Sequence, residues 1–366
     1  MSNKKFKKIL FIDPSPSKKH YGGSTISLLQ MLKYNENPSW ASEIIVLFLY
    51  PNEIHKEFSK IKNVQTFVLL KSQKYLSNFY HRIKKYLSFF LFLLKNQNFE
   101  LIVVNSRIGS GRFAIIIGRL LGLRVVVHER LQSNISLLTK FFLKSVKIVA
   151  VSNHIKKNLT DQGVKSSSIQ TIYNGVKVCD LIERKKPNIY KVIMVGNIVE
   201  WKGQHIFIDS YKYLKSKNVK YFIAGNIHDQ KYFNSFSNKF DNNKITFLGF
   251  ESQIIKNLSK YDILVHASQT PEPFGRSIIE AMSVGVPVIA SDAGGPKEII
   301  TDMEDGLLFK RKSAKHLSSK IELLINDYNL TEKLIFKGYE NVKNNFNIRN
   351  TSKNYLKIYR ESAFIL

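Results

Sequence analysis

The chain has a single cysteine in 366 residues, Cys179, which excludes an internal disulfide and fits a reducing compartment. It lacks any apolar run of the roughly 18 residues needed to span a bilayer. The opening MSNKKFKKILFIDPS has the basic flank of a signal peptide, but its apolar stretch, Ile9 to Ile12, is far too short for one and reads as a first strand. A cytoplasmic protein is therefore expected. There is no low-complexity segment and no internal repeat. Asp-x-Asp is absent and no His/Cys cluster occurs, while Asp302-x-Glu304 falls in an apparent turn, so no metal is expected. Acidic residues are scarce: 28 Asp and Glu face 56 Lys and Arg, a net charge of +28. The excess is uneven, because residues 1–186 hold 31 basic and 10 acidic side chains whereas 187–366 hold 25 and 18. Such a balance favours nucleic acid, a membrane surface or a phosphorylated substrate as partner. No nucleic-acid-binding module or aromatic-basic platform of the usual kinds is present.

Length and a hydrophobic content of 44% allow two α/β domains, each with its own core. The most informative stretch runs from Thr270 to Ile300, TPEPFGRSIIEAMSVGVPVIASDAGGPKEII. Tyr261 to Ala267 reads as a buried strand, and Ser268 to Phe274 is a loop broken by two prolines. Ile278, Ile279, Ala281 and Met282 have helical spacing; Gly285 and Pro287 end that helix, and Val288 to Ala290 forms the next strand. Ligands of parallel sheets bind at the carboxyl ends of the strands, which puts the loop in a cleft with a helix amino terminus beside it. Glu272 in the loop and Glu280 in the second helical turn can accept paired hydrogen bonds from vicinal hydroxyls. Backbone N–H groups near Gly275 favour phosphate oxygens. A sugar joined to a diphosphate suits this stretch.

The same strand and helix alternation continues elsewhere. Phe6 to Ile12 precedes Tyr21-Gly22-Gly23-Ser24 and a helix from about Thr25 to Leu32; glycine there lets backbone approach a phosphate. Glu100 to Asn105 and Arg124 to Val127 are further strands, the second leading into His128-Glu129. Lys147 to Ser152 and Ile169 to Val176 close the first domain, and Glu183 to Pro187 is the expected linker. Tyr190 to Val195 restarts the pattern before Gly196 to Gly203, GNIVEWKG.

Glu272-x7-Glu280, with Pro273, Phe274, Gly275, Ala281, Gly285, Pro287, Val288 and Gly294-Gly295 around it, resembles the signature of the retaining family 4 glycosyltransferases. The resemblance covers nearly the whole chain and is strongest from Tyr190 to Ile300. It implies the GT-B fold, two Rossmann-like domains facing a cleft: residues 1–186 with about 350–366 crossing back, and 187–349. It further implies that Glu272, His128 and Lys202 are catalytic, and that Glu280, Gly23, Asn197, Phe274, Gly275 and Arg276 bind the donor. Glu280 would hold the ribose, Glu272 the transferred sugar, and Lys202 the diphosphate. The Gly-x5-Lys-Gly spacing matches the family, but Asn197 stands where members mostly carry arginine, so one diphosphate charge is missing.

The expected activity is retaining transfer of a sugar from a nucleoside diphosphate donor, without metal or other cofactor, to a glycan or lipid-linked acceptor. A GT-B sugar-nucleotide epimerase and a basic nucleic-acid-binding protein are the alternatives, separated by the product formed or by salt-dependent RNA binding. One segment stands outside this scheme. In Lys71 to Leu94, the residues Leu76, Phe79, Ile83, Leu87, Phe90 and Leu94 recur at helical spacing, with Arg82, Lys84 and Lys85 on another face. That composition fits a helix lying on an anionic membrane surface, which would make the protein peripheral at the inner membrane face.

Overall fold

The computed structural model describes residues 5–14, 22–34, 40–71, 79–181, 183–241, 243–251 and 254–364. They form two compact units, one of residues 1–175 with 348–366 and one of 176–347. The boundary read from sequence at 186 thus lies inside the second unit, and residues 176–186 group with it.

The first unit has seven strands: β1 (Phe6–Asp13), β2 (Ala41–Phe48), β3 (Val64–Val68), β4 (Leu101–Val104), β5 (Val125–Glu129), β6 (Lys147–Ala150) and β7 (Ile169–Thr171). Its helices are α1 (Gly23–Lys33), α2 (His55–Ser59), α3 (Phe79–Lys95), α4 (Ile108–Leu120), α5 (Leu137–Leu143) and α6 (Asn153–Asp161). All strands pair in parallel in the order β3-β2-β1-β4-β5-β6-β7. Continuous apolar runs such as Leu101–Val104 form these strands because helices cover both faces. The order reverses between β1 and β4, and the carboxyl ends of those two strands carry the buried Asp13 and Asn105.

The second unit holds β8 (Tyr190–Val195), β9 (Val219–Ala224), β10 (Ile245–Gly249), β11 (Ile263–His266), β12 (Val288–Ser291) and β13 (Leu307–Phe309), again all parallel, in the order β10-β9-β8-β11-β12-β13. Around it lie α7 (Gln204–Ser210), α8 (Gln230–Ser237), α9 (Ile254–Asn257), α10 (Arg276–Met282), α11 (Pro296–Ile299), α12 (Ala314–Asn326) and α13 (Tyr328–Asn345). The final helix, α14 (Ile348–Phe364), belongs to the first unit, where Tyr355, Ile358 and Tyr359 enter the core beside Phe11 and Trp40.

The α3 segment departs from its expected packing. Residues 72–78, and with them Leu76, lie outside the described residues, as do the side chains of Phe79 and Arg82. Within α3, Phe89 is wholly buried, edge-on to Phe113 at 5.2 Å, so it belongs to the core and is not available to a membrane. Phe92 packs against Phe67 at 5.7 Å. Ile83, Leu87, Phe90, Leu91 and Leu94 are exposed, a stripe at helical spacing that no described residue of the unit covers. Lys84 is exposed, whereas the Lys85 ammonium lies 5.0 Å over the Phe113 ring.

Candidate functional site

The β11–α10 loop is held from both sides. Gly294, at φ +67°, and Gly295 lie against its backbone: a Cβ on Gly294 would meet the Glu272 oxygen at 2.4 Å, and one on Gly295 the Phe274 Cα at 2.3 Å. Gly295 N–H donates to Glu272 O at 2.8 Å. Gly275, at φ +109°, turns the chain into α10, and Phe274 is buried against Phe346 at 5.9 Å. On the other side Gly203, at φ +78°, lets the β8–α7 loop sit on the end of β11, where a Cβ would come within 2.2 Å of Ala267 O. Gln269 N–H donates to Trp201 O at 2.7 Å and its side-chain amide to Glu200 O at 2.7 Å.

This docking brings Lys202 to Glu272 across 70 positions of sequence. The ammonium donates to Oε1 at 2.6 Å and to Oε2 at 2.8 Å, with the Trp201 ring 4.4 Å from it. Ser268 Oγ donates to Oε2 at 2.6 Å, and His266 Nε2 lies 3.3 Å from the same oxygen. Burial alone would raise the pKa of Glu272, which is 9% exposed, but the Lys202 ammonium and the neighbouring His266 more than reverse this and hold its carboxyl well below the usual range. Eight residues on, Glu280 is buried and receives Arg276 Nη2 at 2.6 Å and Nε at 3.1 Å, an i,i+4 pair on α10. Asn197 is exposed at the end of β8, and its carbonyl oxygen accepts from Gln204 Nε2 at 2.9 Å. The second unit thus brings Glu272, Lys202, Phe274, Gly275, Arg276 and Glu280 onto one edge of its sheet.

Beside the loop is an open depression of about 530 Å³ lined by Glu200, Trp201, Asp229, Gln269, Thr270 and Lys312. A second one, of about 540 Å³ between Lys186, Tyr190, Asn218 and Asn326, sits at the strand starts, the edge where parallel sheets do not bind ligands.

In the first unit Gly23 opens α1 and is exposed, while Tyr21 lies outside the described residues. His128 is fully enclosed: its Nε2 is 2.9 Å from the Tyr359 hydroxyl and its ring lies 4.5 Å from that of Tyr355. Burial, helped by Arg130, drives its basicity well below the ordinary value, so the ring is neutral. Arg130 in turn donates to Asn105 Oδ1 at 2.9 Å and to Asn174 Oδ1, joining the ends of β4, β5 and β7. Neighbouring Glu129 accepts from Ile108 N–H at 2.5 Å at the start of α4, and its Oε1 is buried without a hydrogen-bond partner among the described residues. Burial pushes this carboxyl up to about 8 against the opposing pull of Ser133, the Ile108 amide and Arg107.

Sequence reasoning missed Ser268, His266 and Arg130. The first two carried a signal, since polar side chains at the carboxyl end of a buried parallel strand stand at the ligand edge. Arg130 had a weaker one, a cation following a buried strand and a glutamate.

Two sets of βα units, each on its own parallel sheet with its loops at the carboxyl edge, are the parts of the GT-B class of fold. Solved structures agree: HepE of Anabaena in complex with UDP and glucose superposes with a TM-score of 0.82 at 20% identity, over 97% of this chain and 100% of that one. The glycosyl transferases group 1 model matches residues 181–341 and the glycosyltransferase family 4 model residues 43–178. The chain belongs to the glycosyltransferases of the family 4 type. Among curated relatives, the capsular polysaccharide biosynthesis glycosyltransferase CapM of Staphylococcus aureus is 31% identical over 54% of this chain and 57% of its own. An N,N'-diacetylbacillosaminyl-diphospho-undecaprenol alpha-1,3-N-acetylgalactosaminyltransferase of Campylobacter jejuni is 30% identical over 46% of this chain and 44% of its own. The chain spans only 54 to 60% of the length of other relatives it matches.

Proposed function

We propose that this protein transfers a hexose, with retention, from a nucleoside diphosphate sugar to a lipid-linked or cell-surface polysaccharide precursor. The observation that carries the reading is the buried Lys202–Glu272 pair at the carboxyl edge of the second sheet, with Glu280 one helix turn deeper. Lys202 would take the diphosphate, Glu272 the hydroxyls of the sugar and Glu280 the ribose diol. As the bond from the anomeric carbon to phosphate breaks, negative charge grows on the leaving group, where a fixed ammonium in a shielded site is worth most. The acceptor oxygen would bond to that carbon on the same face and give its proton to the departing phosphate, so no metal or cofactor is needed. The UDP and glucose in the HepE structure support such a donor; the names of the two relatives support such an acceptor. His128, a proposed catalytic residue, would act through a rearrangement of Tyr355 and Tyr359, since its ring is enclosed as it stands.

The acceptor end of the proposal includes an anionic membrane. The crossovers from β3 through β6 run in one direction, so right-handedness places α3, α4 and α5 on the same face of the first sheet. That face exposes the α3 stripe and, on α5, Leu137 (83% exposed), Leu138 and Phe141, with Lys84, Lys140 and Lys144 among them. Among the described residues no helix is long and apolar enough to cross a membrane. Apolar side chains ringed by lysine fit the headgroup plane.

A thermal-shift screen of sugar nucleotides tests the donor, because a ligand of the folded state raises its stability with concentration. One sugar nucleotide should stand out, and Glu280→Ala should weaken binding of its free nucleoside diphosphate. Equal affinity in Glu280→Ala and wild type, measured by calorimetry, would sink the ribose assignment.

A further inference from the structure

Lys202 and Glu272 saturate one another. Both carboxylate oxygens accept from the one ammonium, whose remaining side faces the Trp201 ring. If Lys202 takes the diphosphate, as proposed above, the carboxylate loses its strongest partner at the moment it must meet the sugar. Two groups stand ready behind it. Ser268 Oγ already donates to Oε2 at 2.6 Å. His266 is close but outside hydrogen-bond geometry: Nε2 is 3.3 Å from Oε2, and among the described residues neither buried ring nitrogen has a hydrogen-bond partner, although the residue is only 4% exposed. A buried ring with two unmet nitrogens costs free energy, and the rest of this loop is well satisfied. His266 is the last residue of β11, paired with Ala290 of β12, so the sheet fixes the backbone from which the ring projects. Because Glu272 is ionised, Nε2 must carry the proton for the contact to be attractive.

Resting on the nucleotide-sugar reading, we infer that the diphosphate displaces Glu272 from Lys202 and that His266 and Ser268 then hold the freed carboxylate for the sugar. His266 is thus a positioning residue for Glu272. Its contribution grows once the diphosphate has taken Lys202, when a small rotation completes the Nε2–Oε2 hydrogen bond. The exchange also means that Glu272 competes with the diphosphate for Lys202.

The test uses the full chain with UDP and UDP-glucose, or the corresponding pair for whichever base the screen selects. His266→Leu should lower kcat for donor turnover about tenfold while UDP affinity stays within about twofold of wild type. His266→Gln, which returns a donor near the Nε2 position, should recover most of that loss. Glu272→Gln should bind UDP about threefold or more tightly, since a neutral amide releases Lys202, while donor turnover collapses. Parallel loss of UDP affinity and turnover in His266→Leu, with no recovery in His266→Gln, would show a merely structural histidine and overturn the inference. Weaker UDP binding by Glu272→Gln would overturn the exchange. Failure of the wild type to bind any nucleoside diphosphate would instead overturn the reading on which both rest.

Discussion

Two glutamates at the carboxyl ends of parallel strands, one in each unit, are buried to a similar degree and end in opposite states. Glu272 has a lysine on both oxygens and stays ionised far into acid. Glu129 has an amide and a hydroxyl, no cation bonded to it among the described residues, and holds its proton up to about pH 8. Burial pushes both carboxyls the same way, so the counter-ion decides. The pair separates a glutamate held as a charge by its lysine from one held as a neutral brace between β5 and α4.

The largest effect should follow from removing the cation. Lys202→Met leaves Glu272 buried and unpaired and should cost about 3–5 kcal/mol in urea unfolding at pH 7. The Lys202→Met, Glu272→Gln double variant should regain much of it. A double variant as unstable as the single would mean that the lysine stabilises by packing and not by charge.

Glu129 gives the converse test. Its folded pKa lies above the unfolded value near 4.5, so the folded state binds the extra proton between about pH 4.5 and 8. Its contribution to stability is complete below pH 4.5 and is lost as pH rises towards 8. Glu129→Gln, always neutral, should remove this decline and leave the protein more stable than wild type at pH 8, by an amount on the order of 3 kcal/mol. Glu272 runs the other way, contributing above the unfolded value and losing its contribution as pH falls below about 4.5. Identical pH profiles of unfolding for Glu129→Gln and wild type would show that Glu129 is ionised in the fold.

A smaller effect concerns the charge the site lacks. Asn197 is exposed at the end of β8, so Asn197→Arg adds a guanidinium without a burial penalty, and it should tighten the free nucleoside diphosphate about three- to tenfold. Unchanged affinity would place the diphosphate away from this loop or show that Arg276, drawn from Glu280, already serves it.

The sequence made the fold legible because each buried parallel strand is a short apolar run and each reversal is marked by glycine or proline. The loop with Glu272 was legible for the same reason: Gly275, Gly294 and Gly295 are positions where backbone meets backbone. Partnerships were not. Lys202 reaches Glu272 across 70 positions, and Tyr359 reaches His128 across 231, and neither distance leaves a periodic trace. That is why His128 read as a residue at a cleft edge, although α14 closes over it. The helix pattern of α3 was read correctly in period, but period alone cannot say which apolar stripe a neighbour covers. Phe89 fell in the core while Ile83 and Leu87 did not.

That same difficulty sets up the smallest effect on stability and the sharpest contrast between surfaces. On α5 the Ser136 cap and the buried Thr139 and Leu143 fix which side of the helix faces the unit, and Leu137 and Phe141 consequently point away from it, 83% and 63% exposed. Removing apolar groups already in water takes nothing from the core. Leu137→Ser with Phe141→Ser should therefore shift unfolding by no more than about 0.5 kcal/mol. If the exposed stripe meets lipid, the same change should sharply reduce co-sedimentation with anionic liposomes, since each buried methylene group contributes about 0.8 kcal/mol. Charge reversal at Lys84, Lys140 and Lys144 should also release the protein, and raised salt should imitate the charge reversal but not the serine variant, because screening acts on charge alone. Nucleotide binding, proposed for the other unit, should survive all of these changes. Wild-type protein that ignores anionic and neutral liposomes alike would leave the stripe without a lipid role and favour a soluble acceptor.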